Sequence, residues 1–228
     1  MKVRELGIEG AYVFEPEVFH DARGSFRSPH QEAAFGEALG RPLFPVAQVS
    51  TSVSRRGVVR GVHFTATPGS MAKYVVCAGG RALDVVVDVR IGSPTYGQCR
   101  QVELGPEAGT ALYLPPGVGH LFAALEDDTV MVYLLSAAYR ADRERAVHPL
   151  DPELGLDLPA GVEWVLSERD RSAPSLAAAR EGGLLPRYAD CGVGGTAGAA
   201  GAAGVAGAAG AAGAAGASGA TGAAGGGR

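Results

Sequence analysis

Apolar residues in this chain come in short runs, and Gly, Pro or Ser interrupts them so often that only one clear helix, over 31–39, fits before residue 165. Short runs with turn signals at this spacing are the mark of an all-β sandwich or barrel, not of alternating strands and helices. The pattern predicts strands over 11–14, 47–52, 58–64, 74–78, 82–89, 100–104, 110–114, 120–124 and 129–136. A second short helix is predicted over 175–181, where Ala and Leu follow Pro174. The last stretch differs: from Gly192 to Gly225 every third residue is Gly, Ala fills most of the remaining places, and there is no Pro. A collagen helix needs Pro or hydroxyproline to fix its extended backbone, and Gly-Ala sequence buries too little to offset its ordering entropy. The chain therefore divides into one folding unit, residues 1–190, and a Gly/Ala-rich tail, residues 191–228, expected to be disordered. A unit of that size buries roughly 70% of its unfolded surface and needs no disulfide or metal to hold it together.

Charge and cysteine content narrow the function. With 24 acidic against 20 basic side chains, net −4, there is no broad cationic surface for nucleic acid. Cys77, Cys99 and Cys191 form no CxxC or Cys/His pair, so a disulfide framework and a structural zinc site are both disfavoured and a reducing compartment fits best. No apolar run has the length of a signal peptide or a membrane span. A cytoplasmic protein with no membrane partner is the expectation.

Alternation within 81–90 puts Leu83, Val85, Val87 and Val89 on one face of a strand and Asp84, Val86, Asp88 and Arg90 on the other. Carboxylates on a Val-rich strand look either into a wet cavity or out to solvent, and the pattern alone leaves both open. Two histidines fall inside predicted strands, His63 and His120. The second closes a Pro-x-Gly-x-x-His pattern, Pro115 to His120, similar to the second half of cupin-type jelly-roll barrels. Such barrels often hold a metal through His-x-His and a following Glu, but Thr65 stands where the second His would be and no acidic residue lies between Thr65 and Ala82. Two candidate ligands are fewer than a catalytic metal usually takes, so the expectation is no metal and no cofactor. A strand-borne His facing a cavity can instead move protons. Lys73 at a strand start could hold a developing oxyanion or simply snorkel, and Tyr133, on the parity of Met131 and Leu135, could face a cavity or be core.

Ordered motifs add to this. Phe19-x-Asp21-x-Arg23-Gly24-x-Phe26, Gln48-x-Ser50, Val59-Arg60-Gly61-Val62-His63, Lys73-Tyr74-Val75, the run from Leu83 to Gly97, Pro115-x-Gly117-x-x-His120-x-Phe122 and Leu166-Ser167-Glu168-Arg169-Asp170 occur in sequence. Together they resemble the dTDP-4-dehydrorhamnose 3,5-epimerase family over about residues 14–174. The resemblance implies a cupin-type jelly-roll with a few short peripheral helices, working as a homodimer without a cofactor on a dTDP-4-keto-6-deoxyhexose. It further implies that His63 is the base, oriented by Asp170, that Tyr133 is the acid on the opposite face of the sugar, and that Lys73 stabilises the enolate with Asp84 behind it. His120 would line the sugar pocket. Arg23 and Arg60 would meet the diphosphate, and Ser28, Gln48, Ser50, Glu144 and Arg169 would fall at nucleotide and sugar contacts.

The chain departs from the family pattern at Ser28, Ser50 and Thr65, where Glu, Asn and Gln are common, and it lacks a Trp near Val147-His148-Pro149. These positions shape the pocket and not the proton-transfer set, so the implied reaction class stands; the stretches 62–69 and 148–152 resemble the branch serving deoxysugars of glycosylated antibiotics, with inversion at carbon 3, carbon 5 or both. A metal-dependent cupin enzyme and a non-catalytic sugar-nucleotide binding module are the alternative readings.

Overall fold

The computed structural model describes residues 1–192; the remainder of the Gly/Ala-rich stretch, read above as a disordered tail, lies outside the described residues. Thirteen strands run in chain order: β1 (Lys2–Glu5), β2 (Tyr12–Glu15), β3 (Val18–Asp21), β4 (Gly24–Arg27), β5 (Gln48–Ser54), β6 (Val59–Thr65), β7 (Lys73–Gly79), β8 (Ala82–Val87), β9 (Cys99–Leu104), β10 (Ala111–Leu114), β11 (Gly119–Ala124), β12 (Thr129–Leu135) and β13 (Glu144–Ala146). They form a six-stranded sheet, β1-β2-β10-β7-β12-β5, a five-stranded sheet, β13-β6-β11-β8-β9, and the separate hairpin β3-β4. The α-helices are α1 (Glu32–Leu39), α2 (Glu168–Arg171) and α3 (Leu176–Glu181). Among the described residues no helix is long and apolar enough to cross a membrane.

Alternation decides where each side chain goes. The central core takes Val13, Val75, Cys77, Leu112, Leu114 and Met131 from the larger sheet and Ala82, Val86, Leu104, Phe122 and Ala124 from the smaller. These are the inward parities of their strands, so the two sheets face each other across one apolar layer, as in a jelly-roll. Each sheet is also covered outside. Phe35 of α1 stacks on Phe14, centroids 5.4 Å apart, and meets Tyr113 edge-on at 5.3 Å over the larger sheet. Val85, Leu121 and Ala123 on the outer face of the smaller sheet pack against Leu154, Leu176, Ala179 and Leu185.

This settles the acidic face of β8. Asp84 and Asp88 share the parity of Ala82 and Val86, and both are fully buried, so that face looks inward and not to solvent. The strand also ends earlier than expected, at Val87, because Asp88 turns the chain. Its Oδ1 accepts from the Arg90 backbone N–H at 3.1 Å and from Arg90 Nε at 2.8 Å, while Oδ2 accepts from Ser93 and Thr95 hydroxyls at 2.5 and 2.6 Å. Burial alone would raise the Asp88 pKa, but the Arg90, Ser93 and Thr95 hydrogen bonds and the guanidinium charge outweigh it and hold the carboxyl below its ordinary value. Arg90 also donates to the Glu9 carbonyl at 2.7 Å and lies over Tyr188, 5.1 Å from the ring centroid. One buried ion pair thus ties the N-terminal and C-terminal segments to the end of β8.

The strand pairing β11–β6 carries an irregularity with a direct bearing on function. His120 opposes His63 and Phe122 opposes Arg60, so two steps along β11 match three along β6. Strict alternation would send Arg60 and His63 to opposite faces; the bulge lets both face inward. Gly61 sits at that bulge with φ +135°, and a Cβ there would stand 2.5 Å from the His120 carbonyl oxygen and 2.6 Å from Leu121 Cα. Only glycine satisfies both the angle and the approach. Gly61→Ala is therefore expected to lower unfolding free energy by about 3 kcal/mol, measured by chemical denaturation.

Candidate active site

At one end of the inter-sheet gap the apolar layer gives way to a cavity of about 520 Å³. His63, His120 and Arg60 reach it from the smaller sheet, Lys73, Tyr133, Ser50 and Ser52 from the larger, and Ser167, Arg169 and Asp170 from the α2 segment. The parity explains the assembly. Lys73 precedes Val75 and Cys77 on the inward face of β7, Tyr133 lies between Met131 and Leu135 on β12, and His120 precedes Phe122 and Ala124 on β11.

Asp170 is brought in by a short extension of the smaller sheet. Val165 bridges Val58 in parallel, with Val59 N–H donating to the Val165 carbonyl at 3.0 Å and Val165 N–H to the Gly57 carbonyl at 2.8 Å. Ser167 then caps α2, its hydroxyl accepting from the Asp170 backbone N–H at 3.1 Å. The buried Asp170 carboxylate lies 2.6 Å from His63 Nε2. Burial works to raise the Asp170 pKa, but the His63 hydrogen bond and charge, with Ser167 and Arg169, prevail and hold it below the usual carboxylate range. An ionised carboxylate only accepts, so Nε2 is the ring nitrogen that keeps its proton, and Nδ1 is the one free of the carboxylate.

A second imidazole–carboxylate pair stands beside the first. His120 Nε2 meets Asp84 Oδ2 at 2.8 Å, both groups buried, and the other Asp84 oxygen has no hydrogen-bond partner. The His120 ring is edge-on to Tyr133 with centroids 6.0 Å apart. The Tyr133 phenol is 3.4 Å from the Ser52 hydroxyl. Burial pushes its pKa well above the ordinary tyrosine value; Asp84 and Cys77 add to that, while Ser52 and Arg60 oppose it. Burial likewise lowers the pKa of Lys73, with Arg169 acting in the same direction and Glu144 and Asp84 against it. The cavity thus presents an imidazole whose Nδ1 is free of the carboxylate from one sheet, and a protonated phenol and an amine from the other. That set can take a proton from one side of a bound molecule, return one to the other, and hold negative charge in between.

The family model described as dTDP-4-dehydrorhamnose 3,5-epimerase matches residues 5–178. The chain belongs to this family. It is 51% identical over 189 residues to the dTDP-4-dehydrorhamnose 3,5-epimerase of Streptomyces griseus, covering 83% of this chain and 94% of that protein. Among solved structures it is similar to the 4-keto-6-deoxy sugar epimerase from the novobiocin cluster of Streptomyces spheroides, with TM-score 0.80 and 49% identity over 84% of this chain and 95% of that one. It is also similar to the 3′-monoepimerase of Streptomyces bikiniensis in complex with dTDP-quinovose, with TM-score 0.78 and 48% identity over 82% and 94%. The all-β cupin-type jelly-roll expected from the sequence is the fold of these epimerases.

Of the residues singled out in the sequence, His63, Lys73, Tyr133, Asp170, Arg60, Ser50, His120, Glu144 and Arg169 line this cavity. Asp84 lies directly behind His120; its carboxylate bonds that ring, and its link to Lys73 is a charge interaction without a hydrogen bond. Gln48 stands just outside, donating to Ser50 Oγ at 2.9 Å and accepting from the Tyr139 backbone N–H at 2.8 Å. Arg23 is not at the cavity. It projects from the β3-β4 hairpin, 91% exposed, and pairs with Asp21 beside it, while Ser28 follows that hairpin and also lies off the cavity lining. Sequence reasoning missed Ser52, Tyr139 and Ser167. Ser52 shares the parity of Gln48 and Ser50, the one signal that could have found it.

The depressed Asp170 pKa fixes the sign of a pH effect. Stabilisation by the ionised carboxylate is complete above the unfolded-state value of roughly 3.9 and is lost as pH falls through the lower folded-state value. Asp170→Asn is expected to be less stable than the unaltered protein at pH 7, with the difference shrinking steadily below about pH 4 in urea titrations across pH.

Proposed function

We propose that this chain is an isomerase that inverts carbon 3, carbon 5 or both of a dTDP-linked 4-keto-6-deoxyhexose through an enolate, in deoxysugar formation of the kind its Streptomyces relatives serve. The observation that carries it is the shared cavity with His63 on one sheet and Tyr133 on the other. A hydrogen on either carbon is α to the 4-keto group, so its removal leaves a charge delocalised onto the carbonyl oxygen. The reaction only redistributes protons and is redox-neutral, so neither hydride transfer nor a cofactor is called for.

In this reading Nδ1 of His63 takes the proton, and Asp170 keeps the ring in the correct tautomer and balances the imidazolium. Lys73 donates to the enolate oxygen. Tyr133 delivers a proton to the opposite face, and its burial keeps the phenol protonated until then. His120, held by Asp84, forms part of the sugar pocket. Arg60, with its Nε 3.1 Å from Ser54 Oγ, and Arg169 supply cations for the diphosphate.

A homodimer completes the reading. The β3-β4 hairpin carries Phe19 and Phe26, 55% and 69% exposed, together with Arg23 and away from its own cavity. Two bare aromatic rings and an arginine on one hairpin fit a surface that a second copy covers, which would give Arg23 and Ser28 a role that this chain's own cavity does not. Three unpaired cysteines fit a cytoplasmic setting.

Incubation with dTDP-4-keto-6-deoxyglucose in heavy water, followed by NMR, tests the assignment. Deuterium is expected at carbon 3, carbon 5 or both, and His63→Ala is expected to slow its entry by about 10²–10⁴-fold. A folded protein that leaves both carbons unlabelled contradicts it.

A further inference from the structure

One group around Tyr133 has no part in the chemistry so far. The Ser52 hydroxyl, at 3.4 Å, is the one hydrogen-bond partner of the Tyr133 phenol among the described residues. Ser52 is set by backbone pairing: β5 runs beside β12 with Ser50 opposite Tyr133 and Ser52 opposite Met131, so Ser52 approaches the phenol diagonally from the inward face. The neighbouring Ser50 is committed elsewhere, accepting from Gln48 Nε2 at 2.9 Å.

We propose that Ser52 is the positioning residue for the acid Tyr133, donating its hydroxyl proton to the phenol oxygen and so aiming the phenolic proton into the cavity. This rests on the epimerase reading above. The direction of the bond follows from what must happen next. When Tyr133 protonates the enolate carbon, its O–H bond breaks, a C–H bond forms on the face opposite His63, and the electron pair stays on the phenolate oxygen. Were Ser52 the acceptor, the phenolic proton would be held by Ser52 and would have to leave that bond before transfer. With Ser52 as donor the proton is free to move, and the phenolate keeps a hydrogen bond that strengthens as its charge develops; Ser52 retains its own proton throughout. A separation of 3.4 Å is at the long end for two hydroxyls, as is common where the bond tightens only with substrate bound.

The reaction offers a readout that a purely structural role would not move. Abstraction by His63 and return to the same face exchanges hydrogen with solvent without inversion, because His63 is partly exposed to it. Inversion alone requires Tyr133. The experiment follows both rates in heavy water, by NMR, for the unaltered chain, Ser52→Ala and Ser52→Thr, with dTDP-4-keto-6-deoxyglucose as the probe. For Ser52→Ala, kcat for inversion is expected to fall about tenfold, the worth of one hydrogen bond, with KM little changed and label still entering the uninverted substrate. The ratio of exchange to inversion then rises about tenfold, and Ser52→Thr, which keeps a hydroxyl, restores most of the lost rate. In a Tyr133→Phe background Ser52→Ala should cost nothing more. Unchanged inversion in Ser52→Ala overturns the proposal, as does a fall of exchange and inversion together that Thr fails to rescue in a folded protein. An unaltered chain that exchanges neither carbon overturns the epimerase reading itself, and Ser52's role with it.

Discussion

A β-strand must send alternate side chains to opposite faces, and in two stacked sheets only one of those faces is shared. Everything at this site depends on that constraint. Lys73, Asp84, His120 and Tyr133 all occupy inward parities that a few residues along their strands belong to Val, Met or Phe of the core. The polar set is the continuation of the core layer past the point where apolar packing stops. His63 and Arg60 could not both join it under strict alternation, and the bulge at Gly61 removes that conflict. A single glycine therefore governs whether an imidazole and a guanidinium share the cavity.

Placing this many polar groups between two sheets creates an electrostatic problem, met by pairing. Each cavity histidine is tied through Nε2 to a buried carboxylate, His63 to Asp170 and His120 to Asp84. The same bonds that pair the carboxylates orient the rings, so stability and ring orientation come from one set of contacts. Further from the cavity, Asp88 and Arg90 do the same for the loop after β8, with Ser93, Thr95 and the Glu9 carbonyl completing the shell. The low local polarity that makes an unpaired charge costly also makes the phenol of Tyr133 hold its proton and the amine of Lys73 hold its own less tightly.

Much of this was legible in the sequence where burial imposes a pattern. Every strand read from apolar alternation is present, and α1 and α3 fall within a residue of the spans expected. The strands that sequence reading missed are those with no buried face to write one: β1, the β3-β4 hairpin and β13 are largely exposed or only partly covered, so tertiary pairing and not hydrophobic period makes them strands. β8 read two residues too long because Asp88 looks like one more step of the alternation, yet its carboxylate closes a turn onto Arg90. Parity could not say which face of β8 was inside; the larger sheet packing against Ala82 and Val86 decides that. For the site, strand-borne His63, His120, Lys73 and Tyr133 stood out as polar breaks in apolar runs. Ser52 did not, since β5 alternates serine and glutamine with exposed valine and threonine and no member of the series looks special until its neighbour is known. Arg23 shows the converse: the motif around it is plain in the sequence, yet the side chain projects from the β3-β4 hairpin, pairs with Asp21 and does not line the cavity.

The proposed chemistry rests on geometry: His63 from one sheet and Tyr133 from the other would address opposite faces of one sugar ring. A crystal structure of the protein with a dTDP-linked 6-deoxyhexose bound tests it most directly. The ring is expected between His63 and Tyr133, with the imidazole Nδ1 and the phenol oxygen within reach of the same carbon from opposite sides and Lys73 on the carbon-4 oxygen. A sugar bound outside this gap, or one that turns the same face to both side chains, would contradict it.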